Sequence, residues 1–162
     1  MARDVAWVAP ANLHLTLKFL GAVPEARIDA IVAALTRSGL DLRPFEARIR
    51  GLGAFPSGTR PRVIWAGVTD GASEMVELAR RVDAALAELG FAREERPFSP
   101  HVTLGRVRQP GRNPALSDAL GSATAREFGQ MRVPSASLMR SELGPRGARY
   151  TELATVRLGY SV

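Results

Sequence analysis

Apolar and polar positions along the chain switch between a period of two and a period near 3.6, with Gly and Pro marking most of the switches. Leu13, Leu15 and Leu17 alternate with His14, Thr16 and Lys18, which predicts a strand over Leu13 to Leu20, broken by Gly21 and Pro24. Glu25 to Ser38 follows as a helix, with Ile28, Ile31, Val32 and Leu35 on one face and Gly39 as its stop. Phe45 to Gly51 and Val63 to Val68 are expected strands, joined by a loop that includes Phe55-Pro56-Ser57-Gly58. Met75, Leu78, Ala79, Val82, Ala85, Leu86 and Leu89 recur at helical spacing, and Gly90 ends that helix. A further strand covers His101 to Val107. Residues 114–130 are helical at their start and undecided afterwards, and Val133 to Glu142 pairs with Ala148 to Leu158 through Gly144-Pro145-Arg146-Gly147. Such an order predicts an α+β architecture, antiparallel sheet with helices on one side. A doubly wound parallel sheet would alternate more strictly, and no Gly-rich phosphate loop is present.

Composition narrows the class. At 162 residues, 46% hydrophobic and 23% charged, the chain is long enough and apolar enough for a folded domain rather than a disordered one. No apolar run nears the roughly 18 residues of a membrane helix, and no charged-then-apolar leader opens the sequence. The expected setting is therefore cytoplasmic, away from membranes. Cysteine is absent, which excludes a disulfide framework, a thiol nucleophile and a cysteine zinc site. The net charge of +6 comes almost wholly from arginine, since Lys18 is the only lysine. A GC-rich genome accounts for that bias, yet a field of guanidinium forks still attracts phosphate.

The chemistry sits in the smallest count. The two histidines of the chain occupy matching contexts, His14-Leu15-Thr16-Leu17 and His101-Val102-Thr103-Leu104. Chance placement of Thr and Leu after both would occur about 3 times in 100,000, so the pair reads as a duplicated unit. On a strand, residues i and i+2 share a face, so each unit offers an imidazole beside a hydroxyl while its aliphatic residues point the other way. Were two such strands related by a pseudo-twofold axis, two His and two Thr would converge. That set suits in-line displacement at phosphorus. One imidazole activates the incoming oxygen, the other protonates the departing one, and hydroxyls hold the non-bridging oxygens. No metal and no cofactor is expected, because two histidines without cysteine or clustered carboxylates leave zinc coordination incomplete.

At these residues the chain resembles the 2H phosphoesterase superfamily, and within it the RNA 2′,3′-cyclic phosphodiesterases first described as 2′-5′ RNA ligases. The likeness runs through Trp7 to Gly21, Arg96 to Arg106, Arg62 to Val68 and Leu138 to Tyr150, and so covers nearly the whole chain. It implies a single bilobal domain over residues 1–162, with a pseudo-twofold 2H phosphoesterase fold. Antiparallel sheets would line a central cleft, helices would lie outside, and each lobe would carry one H-x-T strand. It also implies hydrolysis of a 2′,3′-cyclic phosphate to a 2′-phosphomonoester. His14 would be the proton donor to O3′ and His101 the proton acceptor from water, with Thr16 and Thr103 on the non-bridging oxygens. A 5′-hydroxyl end in place of water gives 2′-5′ ligation, with acid and base exchanged in the reverse direction.

Other expected site residues follow from the same likeness. Arg106 would help bind phosphate, provided a bulge at Gly105 brings it to the His101 face. Tyr150 and Phe19, and with them Trp65, are candidate base-stacking platforms. Lys18 shares the parity of His14 and is expected at a solvated rim. The expected partners are RNA ends or nucleotides bearing a 2′,3′-cyclic phosphate. Compared with the family pattern the chain lacks a first strand and helix, which points to a mis-assigned start, with a partner chain filling the gap as the alternative; a monomer is expected unless a partner chain replaces that strand. Alternatives are a cyclic phosphodiesterase for an ADP-ribose-type cyclic phosphate or a 2′-5′ oligonucleotide, and a non-catalytic RNA- or nucleotide-binding module.

Overall fold

The computed structural model describes residues 4–38 and 40–159, so the expected helix stop at Gly39 lies outside the described residues. Seven strands form: β1 (Val5–Trp7), β2 (Phe45–Phe55), β3 (Val63–Val68), β4 (His101–Val107), β5 (Glu127–Val133), β6 (Ser135–Gly144) and β7 (Gly147–Arg157). The helices are α1 (Ile28–Arg37), α2 (Ala72–Ala87) and α3 (Pro114–Ser122), with short 3-10 turns at Pro10–Asn12 and Glu25–Arg27. The α+β class expected from the periodicity is the one observed. Among the described residues no helix is long and apolar enough to cross a membrane.

The chain divides into two compact units. The first comprises Met1–Thr16, Ala47–Asp70 and Pro100–Met131. Its core is one face of a five-stranded sheet in the order β1-β4-β3-β2-β5, with β1–β4, β4–β3 and β3–β2 antiparallel. Alternation decides which residues go inward. Val5, Ala54, Ile64 and Val107 are buried together with Leu116 and Leu120, the two apolar positions that α3 presents four residues apart. Asn113 caps α3 by accepting a hydrogen bond from the Leu116 amide at 3.1 Å, and Pro114 supplies a first-turn residue that needs no donor. The undecided stretch 114–130 thus resolves into a short helix followed by an edge strand.

The second unit, Leu17–Glu46, Gly71–Ser99 and Arg132–Val162, holds α1, α2 and the β6–β7 hairpin. Helix α1 packs on α2 and on β7. Of the residues named by sequence spacing, Ile31 and Leu35 are buried on α1 together with Ala34, while Ile28 and Val32 are half-buried; on α2 Met75, Leu78, Ala79, Val82, Ala85 and Leu86 are buried, and Leu89 lies beyond the end of the helix. Gly90 terminates α2 in the manner expected of it. At φ +85° it lets its own amide reach the Ala87 carbonyl and the Phe91 amide reach that of Leu86.

The strand expected over Leu13 to Leu20 shrinks to one antiparallel bridge, Leu15 with Val102. Two local demands explain the loss. Ahead of the bridge the Leu13 amide bonds to Pro10 O in the 3-10 turn, and beyond it the chain passes into the second unit at Leu17. There Lys18, expected at a solvated rim, is buried instead. Its side chain is 4% exposed, and Nζ donates to Asp83 Oδ1 at 2.6 Å and to Ala92 O at 2.8 Å, with Glu94 Oε1 at 3.6 Å. Burial alone would raise the Asp83 carboxyl. The Lys18 ammonium, the Glu94 amide and the Arg93 charge outweigh it and hold the group below its ordinary range.

Candidate active site

Both H-x-T motifs belong to the first unit. The first motif forms an antiparallel bridge, Leu15 with Val102, to the strand that carries the second. Extending the Leu15–Val102 register by one residue each way sets His14 beside Thr103 and Thr16 beside His101. Leu15 and Val102 lie on the pleat side shared with buried Ala66, so all four polar residues take the opposite side.

His14 is oriented by backbone. Its Nδ1–H donates to the Asn12 carbonyl at 2.7 Å, which places the ring proton of the neutral imidazole on Nδ1. The turn that offers this carbonyl starts at Pro10, whose fixed φ suits its first position. His101 stands beside two aromatic rings. Its ring stands edge-on to Phe55 at 5.0 Å between centroids, and the Trp65 ring lies 6.4 Å away.

Arg106 reaches the same face through a bulge. The β3–β4 register runs Trp65↔Thr103 and then Ile64↔Gly105, leaving Leu104 as an extra residue. Leu104 packs against the core, and the next pair, Val63↔Arg106, restores an exposed arginine to the side of Thr103. The bulge needed at Gly105 is therefore present, centred on its neighbour. Four expected residues and this arginine are brought together within the first unit; Tyr150 and Phe19 belong to the second. There Tyr150 is half-buried on β7 opposite Ser141, and Phe19 is 80% exposed.

Two participants escape sequence reading. Phe55 looked like loop, because the Pro that follows it marks a turn, yet it is the last residue of β2 and pairs with Val63. The Asn12 contribution is a main-chain carbonyl, which no side-chain pattern announces. Among the described residues no three His, Asp or Glu side chains gather where they could hold a metal ion.

Comparison with known proteins decides the family. A profile of the 2′-5′ RNA ligase superfamily matches residues 3–145. The chain belongs to that superfamily. Within the superfamily, the RNA 2′,3′-cyclic phosphodiesterase of Methanothermobacter thermautotrophicus is 40% identical over 155 residues, 96% of this chain and 83% of that protein. The protein of the same name from Aquifex aeolicus is 36% identical over 154 residues, 94% of this chain and 81% of its own. Among solved structures, TT0787 of Thermus thermophilus superposes with a TM-score of 0.80 at 34% identity, covering 98% of this chain and 85% of that one. Escherichia coli LigT in complex with 3′-AMP gives 0.75 at 27% identity, over 96% and 82%. The fold of this superfamily member is thus the 2H phosphoesterase fold that its motifs implied.

Proposed function

We propose that the protein hydrolyses the 2′,3′-cyclic phosphate ends of RNA or nucleosides to 2′-phosphomonoesters, using its two histidines as acid and base. The observation that carries this reading is the antiparallel pairing of Leu15 with Val102, which sets two His–Thr pairs side by side on one sheet face in a protein whose relatives bear that activity's name. The Asn12 carbonyl supports His14 as proton donor. The hydrogen bond from Nδ1–H to that carbonyl holds the ring so that Nε2 is the nitrogen that gives a proton to the departing O3′. His101 takes the proton of the attacking water. The hydroxyls of Thr16 and Thr103 and the Arg106 guanidinium hold the non-bridging oxygens, where charge gathers in the transition state.

Incubation of a nucleoside 2′,3′-cyclic phosphate with the protein in EDTA tests the reading. The expected product is the 2′-phosphate alone. Exclusive 3′-phosphate would reverse the assignment of acid and base, and no turnover would remove the enzyme in favour of a binding module. His14→Ala and His101→Ala are each expected to lower kcat by ~10² to 10⁴. Wild-type rates in either variant would take that histidine out of the mechanism.

A further inference from the structure

The face that carries His101 also carries an aromatic surface beside the four His and Thr side chains. Trp65 sits directly across β3–β4 from Thr103, Gly67 across from His101, and Phe55 across β2–β3 from Val63. The two rings are 5.4 Å apart and tilted by 38°, with Phe55 37% exposed. They lie on the opposite side of the sheet from the apolar core, which is formed by Ala54, Ile64, Val107 and their partners beneath α3. Packing of that core therefore does not explain them.

The backbone around Trp65 is shaped to keep its indole flat on the sheet. A Cβ on Gly53 would lie 2.2 Å from Trp65 Cζ2, and one on Gly67 would lie 3.1 Å from the Arg50 carbonyl oxygen and 3.3 Å from Trp65 Cζ3. Glycine in a strand interior weakens the strand, and here Gly53 leaves room for the ring. The Trp65 Nε1–H is buried without a hydrogen-bond partner among the described residues, a further cost to stability. A large ring held this way, beside a second and partly exposed ring, makes a platform of the kind on which bases of single-stranded nucleic acid stack.

Position decides which nucleotide it serves. In an in-line displacement the nucleophile enters on the side of the base, and the oxygen that leaves does so on the side of the acid. The acceptor hydroxyl must come within hydrogen-bond reach of His101, and Phe55 is packed against that ring. We propose that Phe55 and Trp65 form a stacking subsite for the nucleobase of an RNA strand whose 5′-hydroxyl replaces water as the nucleophile. The subsite deepens the cyclic-phosphodiesterase reading and rests on it. His101 takes the proton of the 5′-hydroxyl as the O5′–P bond forms. The P–O3′ bond breaks, His14 gives its proton to O3′, and the product is a 2′-5′ phosphodiester beside a free 3′-hydroxyl. No further reactant enters. Water is in vast molar excess, so an RNA hydroxyl competes only if a site raises its local concentration, which is what such a platform supplies.

The test reads the ratio of ligation to hydrolysis from one cyclic-phosphate oligonucleotide, in one tube, with a 5′-hydroxyl RNA acceptor. Phe55→Leu and Trp65→Leu are expected to lower that ratio by ~10-fold, and Phe55→Tyr to keep it, because Tyr retains the stacking face that Leu lacks. On the unaltered protein, an acceptor whose first nucleotide is abasic should show the same fall, independent of how any variant folds. An unchanged ratio with the abasic acceptor overturns the proposal, as does a wild-type protein that hydrolyses but never ligates. A fall in both reactions at constant ratio in Phe55→Leu would instead make Phe55 a positioning residue for His101, again overturning it. Absence of both reactions in the wild type would sink the cyclic-phosphodiesterase reading itself.

Discussion

His14 and His101 have different neighbours. The Asn12 carbonyl accepts a hydrogen bond from the first, and the Phe55 ring stands edge-on to the second. The threonines beside them have no such asymmetry in the strand pattern, so their removal should be felt equally. Thr16→Val and Thr103→Val, which keep the branched shape and delete the hydroxyl, are each expected to lower kcat by ~10² to 10³ with a smaller change in KM, measured by steady-state hydrolysis. At this scale the site was legible where chemistry and parity coincide. His-x-Thr names both the reactive groups and the face they share. Arg106 was legible only conditionally, because a bulge changes parity without leaving a mark in the sequence. Phe55 was not legible, since the turn propensity of its neighbour Pro56 masked the end of a strand.

Among elements, the segment after the first motif shows where pattern and structure part. Perfect alternation from Leu13 to Leu17 predicts a strand, but pairing needs a neighbour. The chain has β4 beside it only near Leu15 before passing into the second unit. Tertiary context overrode a correct local preference. The helices fared better, because the face of an amphipathic helix is settled within its own residues, as Met75 to Leu86 show. Lys18 illustrates the converse: parity put it at a rim, and a carboxylate 65 residues away in sequence drew it inward. Lys18→Met should therefore destabilise the protein by about 3 kcal/mol, because it leaves Asp83 largely buried without its ammonium. Lys18→Met combined with Asp83→Leu should recover most of that loss. Urea unfolding of the two variants beside the wild type reads both values, and equal midpoints for all three would refute the clamp.

For the whole molecule, acid is the revealing condition. The Arg80 guanidinium, helped by Arg81 and opposed by partial burial, holds Glu77 down to about 2 from an ordinary 4.5. Burial pushes Asp83 upward, but Lys18 and its neighbours outweigh that push and leave it lowered as well. A carboxyl depressed in the folded state contributes stability in full above its unfolded value and loses it as pH falls toward the folded one. The melting temperature should therefore stay level, as far as these groups govern it, from neutral pH down to about 4.5. It should then fall steadily toward pH 2, and thermal scans across that range check the sign. The fold class was legible at this scale because strand and helix periods alternate in a recognisable order. The division into units was not, since the grouping of both motifs depends on one bridge between segments far apart in sequence. With the sole lysine side chain enclosed in an ion cluster, the native protein offers amine-reactive reagents no exposed lysine. Uptake of such a label at Lys18 would therefore clock the opening of the structure around α2, at a rate that should rise sharply when Asp83 is neutralised.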